Sequence, residues 1–314
     1  MSGPRIRTYS TEEKWLAARR HRITSSDAPI IAGATRGRPS MPDVFSLWCA
    51  KTGKIPPRPR SLRFAAGHAL EPVMFGELAR LRPSLEIHDP GDFHLVEDPR
   101  DRWRVATLDR QFPAPPKHRA GIIEGKTAEW NMRHLWESGP DLYSFFQVQH
   151  AMSCARADHA LVVVMLGLAS RLDVHEVAFS PAVDDELKEL EYRFRVLVDT
   201  DTPPPVGGLQ SRAAVESLFP RPSNAVTVDL FGADVVEAVD HRTNALEHKD
   251  RLRAELKIVE DDIAEAENVI KLAIGEAEGG FVPEKGSRFT WNVERRKSYT
   301  VKESSSRRLR ERKG

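Results

Sequence analysis

Apolar and polar positions alternate with a changing period along this chain, and the changes mark its elements. Thr11 or Ser10 caps a short helix through "KWLAARR", with acids in its first turn. "ITSSDAPIIAGA" reads as a turn into a short apolar element. In "MPDVFSLWCAKTGK", Val44, Leu47 and Trp48 share one helical face, Pro42 stands near the start and Gly53 stops the run. "KIPPRPRS" is a proline-rich loop. "LRFAAGHALEPVMFGELARLR" has helical spacing, with a kink or fresh start expected at Pro72. Strands are expected in parts of "LEIHDPGDFHLVED", "RWRVATLDRQF" and "GIIEGKTA". "PDLYSFFQVQHAMSCAR" is a helix, "HALVVVMLG" and "RLDVHEVAFS" are a strand pair around "LAS", and "PAVDDELKELEYRFRVLVDT" is an amphipathic helix.

"DTPPPVGGLQ" (Asp201–Gln210) is a linker by composition. From Ala233 to Ala277 breakers are few. Val235, Val239, Leu246, Leu252, Leu256, Val259, Ile263, Ala266, Ile270 and Ala273 keep mainly three-four spacing, slipping near Lys249. Such a stripe suits a helical hairpin or a coiled-coil partner, roughly 65 Å long if unbroken. Strand-like pieces and a basic tail, "SSSRRLRERKG", follow. The expected division is 1–200, a linker over 201–232, and 233–314 as long helix or hairpin, short strands and tail. No internal repeat is visible.

Composition narrows the function classes. The 47 Lys and Arg nearly cancel the 46 Asp and Glu, for a formal net charge of +1, so a polyanion would need a local patch rather than a global field. Cys49 and Cys154 are too few for a disulfide framework. "MSGPRIRTYSTEEKW" lacks a signal-peptide core, and the apolar run Ala160–Ala169 is too short for a bilayer. A soluble cytoplasmic protein without a membrane partner is expected.

The candidate chemistry lies on the strands. Asp109 follows one apolar run, and Glu124, Gly125 and Lys126 end another. Residues i and i+2 of a strand face the same way, so Glu124 and Lys126 project together. Asp109, Glu124 and the Gly125 carbonyl form an oxygen set that suits Mg2+. Lys126 can orient a water for attack on phosphorus. Taken alone, the acid-x-lysine triplet also reads as a solvated strand face. Glu71 reads as a partly exposed acid beside a helix break, and Gln147, near Tyr143 and Gln149, as a core-edge amide.

Five segments occur in a suggestive order: "WLAARRHRITSSD", "GHALEP", "VATLDR", "IIEGKT" and "QVQHAM". Over about residues 10–200 the chain resembles the YqaJ-type phage recombinase nucleases, relatives of phage lambda exonuclease in the PD-(D/E)XK superfamily. The resemblance implies an α/β fold, a mixed β-sheet flanked by helices with an α-helical C-terminal extension. It implies Asp109 and Glu124 as metal ligands, Lys126 as catalytic lysine, Glu71 as the helical acid completing the site and Gln147 as the glutamine placing the nucleophile. Arg19 and Ser26, with Ser25 as the competing serine, match a pair that holds a terminal 5'-phosphate of DNA. Leu108, Arg110 and Gly125 depart from the usual pattern, which has Pro and Gly around the Asp and an apolar residue between Glu and Lys.

The implied activity is Mg2+-dependent hydrolysis, with Mn2+ able to substitute, of double-stranded DNA from its ends, 5'-to-3', in phage recombination inside a bacterial host. A single-strand annealing recombinase is the implied partner, and a homo-oligomer the implied assembly. Arg307, Arg308 and Arg310 are candidate DNA contacts in the tail. Two other readings stay open: an endonuclease of restriction or defence type using the same site, and a catalytically inactive DNA-binding or scaffold protein.

Overall fold

Thr11 does open a helix, α1 (Glu12–Arg20), by accepting the Lys14 N–H, and Arg19 and Arg20 lie at its negative end. A computed structural model describes residues 4–36, 38, 41–56, 61–113, 120–167, 171–221 and 229–291. They divide into two compact units, Met1–Pro220 and Arg221–Gly314. The first unit begins with β1 (Arg5–Thr8), whose polar sequence does not announce it. After α1 come β2 (Ile23–Thr24) and the wholly buried α2 (Ala28–Ile31). α3 (Val44–Lys51) starts on Asp43, which accepts the Ser46 N–H, and ends before Gly53, whose φ of 71° suits glycine.

α4 (Leu62–Leu81) runs unbroken through Pro72, so no fresh helix starts there. Proline cannot donate to the carbonyl of His68. Both residues are exposed, so water can satisfy that carbonyl.

The remaining elements of this unit are β3 (His94–Glu97), β4 (Arg104–Ala106), β5 (Arg110–Phe112), β6 (Gly121–Ala128), a 3-10 turn (Trp130–Leu135), α5 (Leu142–Ala155), β7 (His159–Leu166), β8 (Arg171–Ala178), α6 (Pro181–Asp199) and α7 (Arg212–Leu218). The fold is α/β, with mixed sheets and flanking helices. The strands divide into two four-stranded sheets, ordered β1-β3-β4-β2 and β5-β6-β7-β8, where one sheet was expected. Each contains one parallel pair, β2 with β4 and β6 with β7.

The division falls inside "RWRVATLDRQF", at Thr107–Asp109. There the Leu108 N–H leaves the ladders and donates to Nε2 of buried His94 (3.0 Å), while His94 Nδ1 meets the Gly91 carbonyl (2.7 Å). Burial holds this imidazole below its ordinary pKa, against the pull of the Gly91 carbonyl. A neutral ring supplies the acceptor that Leu108 needs.

β6 and β7 are covered on both sides, which explains the continuous apolar run "ALVVVML". Ile122, Val162 and Val164 pack with Val148, Ala151 and Met152 of α5. Ile123, Leu161, Val163 and Met165 pack with Met74, Phe75 and Leu78 of α4. Within the stretch read as linker, Gln210 Nε2 donates to the Thr35 carbonyl (2.7 Å), and α7 buries Ala214 in a cluster with Trp48 and Phe194.

The second unit holds α8 (Ala233–Ile274), one helix with no buried residue, and the antiparallel pair β9 (Gly279–Val282) and β10 (Ser287–Thr290). The tail with Arg307, Arg308 and Arg310 lies outside the described residues. No described helix is long and apolar enough to cross a membrane.

Candidate active site

The pairing of β5 with β6 sets Arg110 opposite Ile123 and so brings Asp109, at the joint between the sheets, beside the middle of β6, which continues past Lys126 to Ala128 instead of ending at the acid-x-lysine triplet. Asp109 Oδ2 accepts the Gly125 N–H at 2.8 Å. Glu124 and Lys126 project toward α5, as the strand pleat requires. Lys126 Nζ donates to Glu124 Oε1 (2.6 Å) and to Gln147 Oε1 (2.9 Å), and Gln147 Nε2 donates to the same Glu124 oxygen (2.7 Å). Asp109, Glu124, Lys126 and Gln147 thus meet.

Glu124 is 6% exposed and Gln147 8%. Burial, then the charge of Asp109, pushes the Glu124 carboxyl up to about 7. Burial also raises Asp109, and the charge of Glu71 adds to the rise. Burial alone would lower Lys126, but Glu124 and Asp109 outweigh it and hold the ammonium above its ordinary range. Arg110 and Lys126 both pull Asp109 down, but they do not offset burial and the charge of Glu71, and both buried acids stay above their ordinary range.

Gly125 faces the other way, toward α4. A Cβ there would come within 3.0 Å of Phe75 Cζ and 3.2 Å of Met74 Sδ. Its absence lets α4 approach β6 closely. Glu71, one turn before Met74 and Phe75, lies on that side of the sheet, and its Oε1 meets His68 Nδ1 at 3.2 Å. Among the described residues no three His, Cys, Asp or Glu side chains gather as a ligand set for one ion, and Glu71 acts on the site through its charge, which raises Asp109. Two carboxylates, with the Gly125 carbonyl nearby, are the donors present. Mg2+ typically takes one or two carboxylates and fills its remaining positions with water and substrate oxygens. Such a set fits a hard divalent cation, which would offset the burial and the neighbouring negative charge that raise the two acids.

Arg19 donates through Nη1 to Thr107 Oγ1 (3.0 Å) and through Nη2 to Ser26 Oγ (3.3 Å), with its guanidinium 4.3 Å from the Trp15 ring centroid. Burial lowers its pKa, against the pull of Asp27 and Tyr143. Ser26 is the serine joined to Arg19; Ser25 is buried. Arg22 pairs with Glu97 instead (3.2 Å). The Tyr143 hydroxyl donates to the Ser26 carbonyl (3.1 Å), and its ring centroid lies 6.0 Å from Lys126 Nζ. Thr107 and Tyr143 thus connect Arg19 and Ser26 with the acids. A cleft of about 700 Å³ opens beside Lys126, lined in part by Leu70, Thr127, Trp130, Met132 and Tyr143.

Three supports escaped the sequence reading. His94 fixes the joint that carries Asp109. Lys51, 8% exposed, reaches Asp27 at 2.6 Å. Arg104, wholly buried, pairs with Glu191 (2.6 Å), Asp98 (3.0 Å) and Asp184 (3.0 Å). A charged residue in an apolar run, such as the arginine of "WRVA", was the only local signal for the last.

Residues 14–158 match the family model described as "YqaJ-like viral recombinase domain". The Bacillus subtilis (strain 168) protein described as "Uncharacterized protein YqaJ" is 24% identical over 284 residues, covering 87% of this chain and 81% of that protein. Among solved structures, the alkaline exonuclease LHK-Exo of Laribacter hongkongensis, in complex with dAMP, aligns with a TM-score of 0.49 and 17% identity over 65% of this chain and 98% of its own. A phage related exonuclease from Haemophilus somnus 129PT aligns with a TM-score of 0.43 and 13% identity, over 57% and 94% respectively.

Proposed function

We propose, from the premise that residues 14–158 form a YqaJ-like viral recombinase domain, that this chain is a Mg2+-dependent exonuclease that degrades double-stranded DNA from its ends, 5'-to-3'. The observation that carries the reading is the meeting of Asp109, Glu124, Lys126 and Gln147, with Glu124 raised to about 7 beside a fixed ammonium. Structural ion pairs lower a carboxyl; two acids that stay raised by burial and by a neighbouring acid beside a fixed ammonium mark a place built for another cation.

Asp109 and Glu124, with the Gly125 carbonyl, would hold Mg2+, or Mn2+ in its place. When bound, such an ion supplies Lewis-acid polarisation of a phosphoryl oxygen and a more acidic water. Lys126 keeps its proton and donates: it orients the attacking water and offsets charge growing on the phosphoryl oxygens. Gln147 holds Lys126 and Glu124 in register and presents its amide to the nucleophile. Glu71 adds negative charge on the α4 side and would bind through a second ion or a water. Arg19 and Ser26 would take the terminal 5'-phosphate, a task that suits the guanidinium fork. A single-strand annealing recombinase as partner, a homo-oligomeric assembly and a bacterial cytoplasmic setting belong to the same proposal.

The test is one gel. Purified protein is incubated with end-labelled linear duplex and with covalently closed circles, each with and without Mg2+. Loss of label progressing from 5' ends of the linear duplex, with circles intact, is expected, and Glu124→Gln should abolish it. Cutting of circles would make the protein an endonuclease. Absence of any cleavage in Mg2+ or Mn2+ would leave a binding protein.

A further inference from the structure

Lys51 is a long cationic side chain that the fold buries away from the acids of the proposed active site. Its ammonium has three donors, and three acceptors surround it: Asp27 Oδ2 (2.6 Å), the Arg22 carbonyl (2.7 Å) and the Arg19 carbonyl (3.1 Å). The two carbonyls lie at and just beyond the C-terminal end of α1, where helix carbonyls lack helical partners and a cation is favoured. Asp27 Oδ2 also accepts the Thr24 N–H (2.8 Å) and the Thr24 hydroxyl (2.7 Å). Thr24 Oγ1 lies 3.0 Å from Ser26 Oγ, which meets Arg19 Nη2. The contacts close a ring. One arm runs from Lys51 through the backbone of Arg19 to its guanidinium; the other runs through Asp27 and Thr24 to the Ser26 hydroxyl.

We propose that Lys51 is the positioning residue of the Arg19–Ser26 pocket, fixing α1 against the Thr24–Asp27 turn and so setting how strictly a terminal phosphate is required. This rests on the phosphate pocket proposed above. The ring accounts for a lysine at this place. Its removal would leave Asp27 and two carbonyls without their cation, and no apolar residue can donate to all three. Although burial pushes Asp27 up, Lys51 and the two Thr24 hydrogen bonds together outweigh it and keep the carboxyl below its ordinary range. The sequence shows only a helix-terminal lysine; the geometry comes from contacts 24 to 32 positions away.

The experiment compares initial rates of degradation of linear duplex bearing 5'-phosphate with the same duplex bearing 5'-hydroxyl, for the full chain, Arg19→Met and Lys51→Met. In Lys51→Met the ratio of the two rates should fall by about tenfold or more, since misplacement by about an ångström suffices for such losses. Equal loss on both substrates, with the ratio preserved, overturns the proposal and leaves Lys51 a structural staple. Should Lys51→Met fail to fold, Lys51→Gln, which keeps one donor group, is read by the same ratio, and an unchanged ratio overturns the proposal equally. If Arg19→Met leaves the ratio unchanged, the pocket itself is wrong and this inference falls with it. If Arg19→Met collapses the ratio and neither Lys51 variant does, only the role of Lys51 is refuted.

Discussion

Glu124→Gln should make the ligand-free protein more stable while abolishing its activity. Gln mimics the protonated acid: its oxygen can still accept from Lys126 and Gln147, and the charge that repels Asp109 is gone. In the fold the Glu124 carboxyl sits at about 7 rather than its ordinary 4.5, because of burial and then Asp109. A folded-state pKa above the unfolded value means that the folded chain holds the proton more tightly. This group's stabilisation is full below about pH 4.5 and lost as pH climbs through about 7. At about 1.4 kcal/mol per pH unit, the ionised group lowers stability by roughly 3 kcal/mol above pH 7. For a unit of this size that corresponds to a melting temperature on the order of 6–12 °C higher in the variant. The assay is thermal unfolding of both proteins without divalent ions, from about pH 4.5 to about pH 8. The difference should be near zero at the acid end and grow toward the alkaline end. Mg2+ should raise the wild-type value and narrow the gap, because a ligand that binds the folded state stabilises it. A difference that does not change with pH, or a variant melting below the wild type at alkaline pH, would refute the reasoning.

Gly125→Val should destabilise the fold by about 1–3 kcal/mol in urea unfolding, because even a Cβ would crowd Phe75 and Met74. Phe75→Leu in the same chain should restore part of the loss. His94→Phe removes the acceptor of the buried Leu108 N–H, so a loss of about 1–3 kcal/mol is expected. Because His94 is held below its ordinary 6.5 by burial, its stabilisation is full above that pH and drains as pH falls; the melting temperature of the variant should decline less steeply on acidification. Gln147→Leu leaves Lys126 one acceptor short and Glu124 one donor short, and cleavage should fall by about a hundredfold or more in single-turnover kinetics, with far-ultraviolet circular dichroism unchanged.

Local chemistry made parts of this molecule legible. The Thr11 cap, the Gly53 stop and the alternation that turns Glu124 and Lys126 to one side depend on neighbours a few positions away. Asp109 was legible as an acid after an apolar run, but its position was not. It lies in a break between two sheets, created by an imidazole 14 positions back from Leu108. β1 escaped notice because "RIRT" has one apolar residue. Its partner β3, far along the chain, supplies the pairing. The Pro72 kink signal was real chemistry whose consequence depends on exposure, which sequence does not give. Glu71 lies on the α4 side of the sheet, away from the side to which Glu124 projects; helical and strand periods describe each element alone, not which side of a shared sheet each will cover.

The active-site conflict needs a frame that cannot slide, and α5 has one. Its apolar contacts, Val148, Ala151 and Met152, are non-directional and would tolerate a small shift along the helix axis. One turn beyond Gln147, however, His150 Nδ1 meets Glu191 at 2.7 Å and its Nε2 meets the Val105 carbonyl at 3.1 Å. Ser153 adds bonds to Asp98 (3.1 Å) and Asp184 (2.9 Å), the acids that also bind Arg104. Although burial works against it, Glu191 and Cys154 together lift His150 to about 10, so the ring stays charged across neutral pH. Buried ion pairs of this kind add little net stability compared with apolar packing, but each works in one geometry. The network therefore fixes the axial position of α5, which sets the reach of the Gln147 amide to Lys126 and Glu124. Crowded acids are tolerated at one end of the helix because the other end is pinned by charges of opposite sign held in ion pairs.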